Sequence, residues 1–389
     1  MHLVETYALS CGAKIDRPFI YEKYFPLPQV KYISFQPFAG APSKNYDFWQ
    51  QVIDILFPIL RSKNISILQI GAKKEKNFNG CLSIVGNTNL GQAAYAVARA
   101  ELHLGADSFA AHVASAYDKK IVAIYSNNIV KNVKPYWSKD ENAVLLEPKR
   151  KNKPNFEMEE SPKTINSIKP EDIAGSVCEL LNLDFEKPYE TIYIGEKYGE
   201  DDFFVWVPDI VHPIKEPPQP LEVRMDYHFD EAILEKQLQI CPCAVITNKP
   251  INLDLLKKYR AHVAHLFYEV TEDDAPEFAQ SARKMGLKII LITRLSNEKI
   301  SDKKINYFDV GKINFIDEPE KELIKKIKNT DDLFYRSNKT IMSNAKRFSS
   351  HPKYLEGVIS NNRFETLDST GHFFDDLDHY HIVKLLDKS

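Results

Sequence analysis

At 389 residues, 43% hydrophobic and 27% charged, the chain has an ordinary globular composition and exceeds what one hydrophobic core commonly serves, so two domains are expected. A formal charge of -3 gives no general attraction to nucleic acid, and no apolar run reaches the roughly 18 residues of a membrane helix. Cys11, Cys81, Cys178, Cys241 and Cys243 are scattered and odd in number, which argues against a disulfide framework. The start, MHLVETYALSCGAKID, lacks the basic residues and long apolar centre of a secretory signal, so a cytoplasmic protein is expected.

In chain order, residues 32–36 (YISFQ) read as a short strand, followed by a loop over 38–45. A helix is expected over 46–60, where Phe48, Val52, Ile55, Leu56 and Ile59 recur on one face. Residues 65–70 (ISILQI) form a buried strand closed by Gly71, and 82–85 are a further apolar segment. Over 87–100 a helix begins with Asn89 and Gln92 at capping-box spacing. Strands at 102–104 and 121–125 bracket a helix of small residues, Ala110 to Ala116. Such alternation predicts an α/β fold, a parallel doubly wound sheet with ligands at the carboxyl ends of its strands.

The charged, proline-containing stretch 149–170 reads as a surface loop, 171–181 as a closing helix and 185–189 as a linker. The alternation then starts again. Strands are expected at 191–194 and 203–207, an extended connection with five prolines at 208–220, and strands at 221–225, 244–247, 265–270 and 288–293. Helices at 230–238, 253–259 and 274–285 lie between them. This is a second Rossmann-like set, and two in tandem would leave a cleft. The expected domains are 1–184, 190–330 and a carboxyl-terminal extension, 331–389, that is aromatic and polar without clear periodicity.

The stretch HLGADSFAAHVASAY concentrates the chemistry. A turn from strand into helix exposes unpaired N–H groups, and the helix dipole adds about half a positive charge there. Asp107 and Ser108 occupy that turn, His112 stands one helical turn in, and the alanines let the helix start lie close to the sheet. Two readings fit: an anion site in which Asp107 accepts from a sugar hydroxyl, or a plain helix cap with a core-packed histidine. In QPFAGAPSKNYDFW, Ser43 and Lys44 stand at a helix start, as phosphate donors or as surface residues. After ISILQIG, Glu75 would face a ribose or base edge, or solvent. Cys241-Pro-Cys243 is either a metal or redox pair or two small residues beside a buried strand. His372, Asp375, Asp376, Asp378, His379 and His381 match no metal-site spacing, so a solvated acidic helix is preferred; no metal and no cofactor are expected.

The order of GAPSK, LQIG with a nearby Glu, VGNTNLGQAAY and LGADSFAAHVASAYDKKIVAIY resembles the donor-binding domain of the ADP-heptose:lipopolysaccharide heptosyltransferases, glycosyltransferase family 9, over about 31–181. The resemblance implies a B-type glycosyltransferase fold of two Rossmann-like domains and inverting, metal-independent transfer from a nucleoside diphosphate sugar. It implies that Ser43 and Lys44 hold phosphate, Glu75 faces the nucleoside, and Asp107, Ser108 and His112 hold the sugar diphosphate.

The chain departs from the family pattern in three places. Phe109 stands where a glycine is usual, Ser126-Asn127-Asn128 stand where Gly-Pro-Thr is usual, and the acceptor half with its catalytic aspartate, which ordinarily comes first, does not precede the HLVETYALSCG helix. One expectation is therefore a permuted domain order, with the second unit serving as acceptor domain and Glu196, Asp209 or His212 as the general base. The alternatives are a catalytically inactive scaffold or nucleotide-sugar-binding subunit, or an enzyme completed by a partner chain or a second copy. The acceptor class stays open among a glycan, a lipid-linked glycan, a protein and a modified nucleobase.

Overall fold

A computed structural model describes residues 1–149, 153–154, 156–160, 163–194, 203–214, 217, 220–295, 297–315, 333–337, 339–348, 354, 357, 365–366 and 380–385. The chain divides into two compact units, Met1–Glu200 with Val383–Ser389, and Asp201–Ile382. The division falls at 200/201, beyond the 185–189 linker read from sequence, because strand Tyr189–Ile194 still belongs to the first unit: Thr191 donates its N–H and hydroxyl to the buried Glu171 carboxylate at 2.7 and 2.9 Å.

The first unit opens with helix α1 (Leu3–Cys11), which His2 and Glu5 start with a capping box and Gly12, in the left-handed region, ends. Strands β1 (Lys31–Gln36), β2 (Ile65–Gln69), β3 (Leu82–Ser83), β4 (Leu102–Ala106), β5 (Lys120–Ile124) and β6 (Ala143–Leu146) form one parallel sheet in the order β3-β2-β1-β4-β5-β6. That is the doubly wound order, and its reversal lies between β1 and β4, where Ser34, Phe35 and Gln36 pair with His103, Leu104 and Gly105. Strand β6, ENAVLLEP in sequence, went unread because four half-buried residues show no periodicity.

The helices confirm the double winding. Helices α2 (Trp49–Ser62) and α6 (Pro170–Leu181) share one core with Ile33, Phe35, Leu104, Val122 and Ile124, whereas α3 (Leu90–Ala98), α4 (Phe109–Ala116) and the single turn α5 (Val130–Val133) share another with Ile121, Ala123 and Tyr125. Alternate residues of β5 thus face opposite layers, as the two-residue period of a strand requires. Asn89 and Gln92 make the expected reciprocal cap on α3, at 3.0 and 3.1 Å. Helix α2 begins three residues later than its periodicity suggests, because Pro42–Lys44 forms a 3-10 turn and Asn45 and Asp47 are tied elsewhere.

In chain order after β7 (Tyr189–Ile194), the second unit supplies β8 (Phe203–Trp206), β9 (Leu221–Arg224), α7 (Glu231–Ile240), β10 (Cys243–Thr247), α8 (Leu253–Lys258), β11 (Val263–Glu269), α9 (Glu277–Lys284), β12 (Ile289–Thr293), α10 (Asn297–Asn306), β13 (Ile313–Phe315), β14 (Leu333–Ser337), β15 (Lys339–Ser343) and β16 (Lys346–Phe348). Its large sheet runs β13-β12-β11-β10-β9-β8-β15-β16, parallel except for the β15–β16 hairpin. Strands β8 to β13 are neighbours in chain order, so this stretch has no reversal. Right-handed crossovers then place the connecting helices on one face. Leu234, Leu256, Phe278, Ala279 and Ile300 from α7 to α10 do share a single core, with Val223, Val245, Leu266, Tyr268 and Leu291. The second set is parallel and α/β as read, but singly wound over these strands. Part of the segment beyond 331 that sequence left unplaced supplies β15 and β16.

Backbone comes close at the β1/β4 reversal, where a Cβ on Gly105 would run into the Gln36 carbonyl oxygen and lie 3.1 Å from the His103 ring. His103 is fully buried on Ser34 Oγ at 3.0 Å, and burial pushes its pKa down to about 3, so the ring is neutral and cannot swing away at low cost. Gly105→Ala is expected to destabilise the first unit by about 1–3 kcal/mol, the usual scale of core overpacking. A lowered urea midpoint with an unchanged slope checks this; an unchanged midpoint would refute it.

Candidate functional site

The connections that leave three neighbouring strands of the sheet meet at the carboxyl ends of β1, β4 and β5. From β1, Pro42–Lys44 turns back toward the sheet, held by the Ala39 N–H on Asn45 Oδ1 at 2.8 Å and by Trp49 Nε1 on the Pro37 carbonyl at 3.0 Å. This turn aims Lys44 at the β4 crossover, where its Nζ lies 2.6 Å from Asp107 Oδ2. From β5, Asn128 Nδ2 donates to the same oxygen at 3.1 Å. Asp107 is only 6% exposed, so the ammonium and the amide replace the water its charge would otherwise need.

Helix α4 starts beside this pair. Ser108 is its N-cap by backbone geometry, yet its hydroxyl caps nothing; Gln36 Oε1, from the end of β1, accepts the Ala110 N–H at 3.0 Å instead. The Ala111 N–H goes to the Ser108 carbonyl, which leaves the Ser108 and Phe109 amides without an acceptor among the described residues. Ala110, Ala111 and Ala114 are almost wholly buried, consistent with a thin helix face set close to the sheet. Asp107, read as a possible cap or sugar acceptor, is here the partner of Lys44.

His112 lies one turn in, close enough to Asp107, His2 and Lys44 to respond to their charges. Burial lowers its pKa most, Asp107 raises it, and His2 and Lys44 lower it further, so the ring is neutral near pH 7. The His2 ring is fixed in turn: Nδ1 accepts from the Val4 N–H and Nε2 donates to the Lys134 carbonyl at 2.8 Å. Tyr125 and Ser126, which follow β5, are buried with hydroxyls that find no partner among the described residues. Gln36, Tyr125, Ser126 and Asn128 escaped the reading of candidate residues. Their signal was position alone: the last residue of β1 and the residues that follow β5.

Ser43, expected to hold phosphate, has its donors engaged within the chain. It is buried, its N–H donates to the Met158 carbonyl at 3.0 Å and its hydroxyl to the Glu157 carbonyl at 3.1 Å, so both donors are occupied. Glu75 stands after β2 with its carboxyl folded against Gly71, and its Oε2 is buried without a partner among the described residues. Burial raises its pKa, against a smaller lowering by the Ala72 backbone.

Two of the three candidate bases are held by structural contacts. Asp209 accepts from the Ser343 hydroxyl and, at 3.1 Å, from the Asn344 N–H. It thereby anchors the β15–β16 turn, in which Asn344 and Ala345 both have positive φ, as a type I′ turn requires. His212 packs on the Trp206 ring with centroids 3.4 Å apart and accepts the Ile214 N–H at Nδ1, and burial lowers its pKa. Glu196, with its neighbour Gly195, lies outside the described residues, as do His372, Asp375, Asp376, Asp378 and His379 and the side chain of His381. Cys241 and Cys243 are buried, Cys241 accepting from Gln237 Nε2 and Cys243 donating to the Cys241 carbonyl, which fits their reading as core residues. Among the described residues no three His, Cys, Asp or Glu side chains converge as a metal site would need, and no helix is long and apolar enough to cross a membrane.

The family model of glycosyltransferase family 9 (heptosyltransferase) matches residues 12–166, the segment that carries all of these crossovers. Among solved structures, the chain is similar to the ADP-heptose LPS heptosyltransferase II of E. coli (17% identity, TM-score 0.32, covering 46% of this chain and 51% of that one). It is also similar to a glycosyltransferase family 9 protein of Veillonella parvula DSM 2008 (19%, 0.31, 39% and 46%) and to E. coli heptosyltransferase WaaC with ADP (15%, 0.32, 45% and 54%). The chain thus spans about half the length of the solved structures it matches. No curated protein matches.

Two outcomes test this account of the side chains. Glu75→Gln is expected to stabilise the first unit at neutral pH. Burial raises the folded-state pKa of Glu75, so stability falls as pH climbs from the unfolded-state value through the folded one and stays lower above it, whereas glutamine never ionises. Denaturant midpoints of the two proteins should coincide in acid and separate toward pH 7; equal midpoints at pH 7 would refute it. Asp209→Ala is expected to cost the second unit about 1–2 kcal/mol, from the lost Ser343 contact and the Asn344 amide it leaves without that acceptor, and loss of turnover without loss of stability would make Asp209 a base after all.

Proposed function

We propose that the first unit, whose residues 12–166 match the family 9 model, holds the diphosphate of a nucleoside diphosphate sugar at the β1/β4 reversal, and that the chain transfers that sugar to an acceptor with inversion and without a metal. The supporting observation is the convergence of Lys44 on Asp107 at the start of α4. Lys44 has three N–H donors and gives one to Asp107; the others, with the vacant Ser108 and Phe109 amides and the positive helix end, suit phosphate oxygens. Once a diphosphate engages the ammonium, Asp107 keeps Asn128 and is free to accept from a sugar hydroxyl. The unpartnered Oε2 of Glu75 after β2, on the other side of β1, is suited to accept from a nucleoside hydroxyl.

The transfer step needs a base to take the acceptor's proton as its oxygen attacks the anomeric carbon, with the nucleoside diphosphate leaving. Asp209 and His212 are engaged in the hairpin and in packing, so the proposal for this chain rests on donor binding. A nucleotide-sugar-binding subunit without turnover of its own is the second reading. Phe109 favours it, since a phenyl 36% exposed stands at the first position of α4, where a glycine would leave the approach to the amides open. Substitution at Lys44 separates the two: an enzyme loses turnover, while a scaffold keeps its protein partner.

The direct test is calorimetry of the full chain against a panel of nucleoside diphosphate sugars. One donor is expected to bind, and Lys44→Ala to weaken it about 10- to 100-fold, the worth of one or two hydrogen bonds to a charged group. Absence of heat with every donor, or binding indifferent to Lys44, would sink the proposal.

A further inference from the structure

We infer that residues Phe156 to Met158 form an autoinhibitory strap that occupies phosphate-holding donors of the site and must leave before a diphosphate can use them; the inference rests on the donor-binding reading above. Ser43 stands in the turn that delivers Lys44, where its N–H and hydroxyl would join Lys44 around phosphate oxygens. Both are instead spent on main-chain carbonyls, N–H to Met158 and Oγ to Glu157. The Glu157 carbonyl takes a second donor, Asn127 Nδ2, at 3.1 Å, and Asn127 Oδ1 accepts the Phe156 N–H at 3.1 Å. One carbonyl oxygen thus gathers donors from the β1 and β5 crossovers, which flank the Asp107 turn on β4, much as an oxygen of a bound anion would.

The strap is built to let go. The side chains of Phe156 and Met158 are 61% and 65% exposed, so little apolar surface fixes it in place. Phe156 has φ of 63°, a left-handed conformation that a bulky residue adopts only when its surroundings hold it there. Its downstream end is better fixed. Lys163 Nζ lies 2.6 Å from Asp47, Asn166 bonds Asp47 through both amide atoms, and Glu160 accepts from the Thr164 N–H and hydroxyl. Release therefore swings three residues about a tethered end and exposes Ser43 without unfolding the unit. Apparent affinity is reduced by the fraction of molecules in which the strap is off.

The experiment compares wild type, Phe156→Pro and Asn127→Ala as full chains, titrated calorimetrically with ADP, GDP, UDP and CDP. Proline forbids the positive φ and removes the N–H that Asn127 accepts, and the alanine removes both Asn127 contacts. Each variant is expected to bind one nucleotide about 3- to 30-fold more tightly than wild type. In wild type, hydrogen exchange at the Phe156 and Ser43 amides should change on nucleotide saturation, the Phe156 amide losing protection. Equal or weaker binding by both variants, or a Phe156 amide still protected at saturation, overturns the strap while leaving the donor site standing. No binding by any of the three proteins removes the donor-site reading, and the strap's role with it.

Discussion

The first unit's functional end depends on the contact between Lys44 and Asp107. A carboxylate 6% exposed at the mouth of a parallel sheet would cost several kcal/mol if left alone. It is tolerated because a cation from the β1 crossover and an amide from the β5 crossover both reach it. Those elements can meet there only because winding reverses between β1 and β4, sending α2 to one face and α4 to the other and opening a crevice between their starts. The pair also sets the electrostatics. Asp107 and Lys44 cancel, so what remains facing the crevice is the positive end of α4 and its two vacant amides.

Sequence made the first unit legible because its signals are local. The β1, β2 and β5 strands are short apolar runs, α2 shows its buried stripe, and Asn89 with Gln92 announces α3 within three residues. The site was half legible for the same reason. Asp107, Ser108, Lys44 and Ser43 lie in strand-to-helix turns, which sequence can locate. What each side chain touches depends on residues 63, 74 or 114 positions away, and no local pattern holds that: Gln36 takes the cap open to Asp107, and Glu157 takes the hydroxyl expected to hold phosphate.

In the second unit, alternation of strands and helices identified the layers but not their winding. Doubly wound and singly wound sheets have the same strand-helix rhythm; they differ only in which strand pairs with which. Asp209 shows the consequence. At the end of β8 it has the position of a catalytic carboxylate, and only the return of β15 beside β8 reveals that its oxygens are needed to close a turn whose Asn344 and Ala345 adopt positive φ.

Phe109 is the departure from the family pattern that bears most directly on chemistry, and the geometry separates two effects that a glycine would supply together. A glycine offers close backbone approach and room. Here the donors survive the substitution, because the Phe109 amide sits at the first helical position, where no intrahelical acceptor exists, and Gln36 holds the turn in shape by taking the amide of Ala110. The room differs, since a phenyl side chain, 36% exposed, stands at a position where glycine would have none. Under the donor-binding proposal a ligand would meet the same electrostatic pull with a phenyl in place of open backbone, so Phe109 would bear on which phosphate-bearing groups fit more than on whether anions are attracted at all.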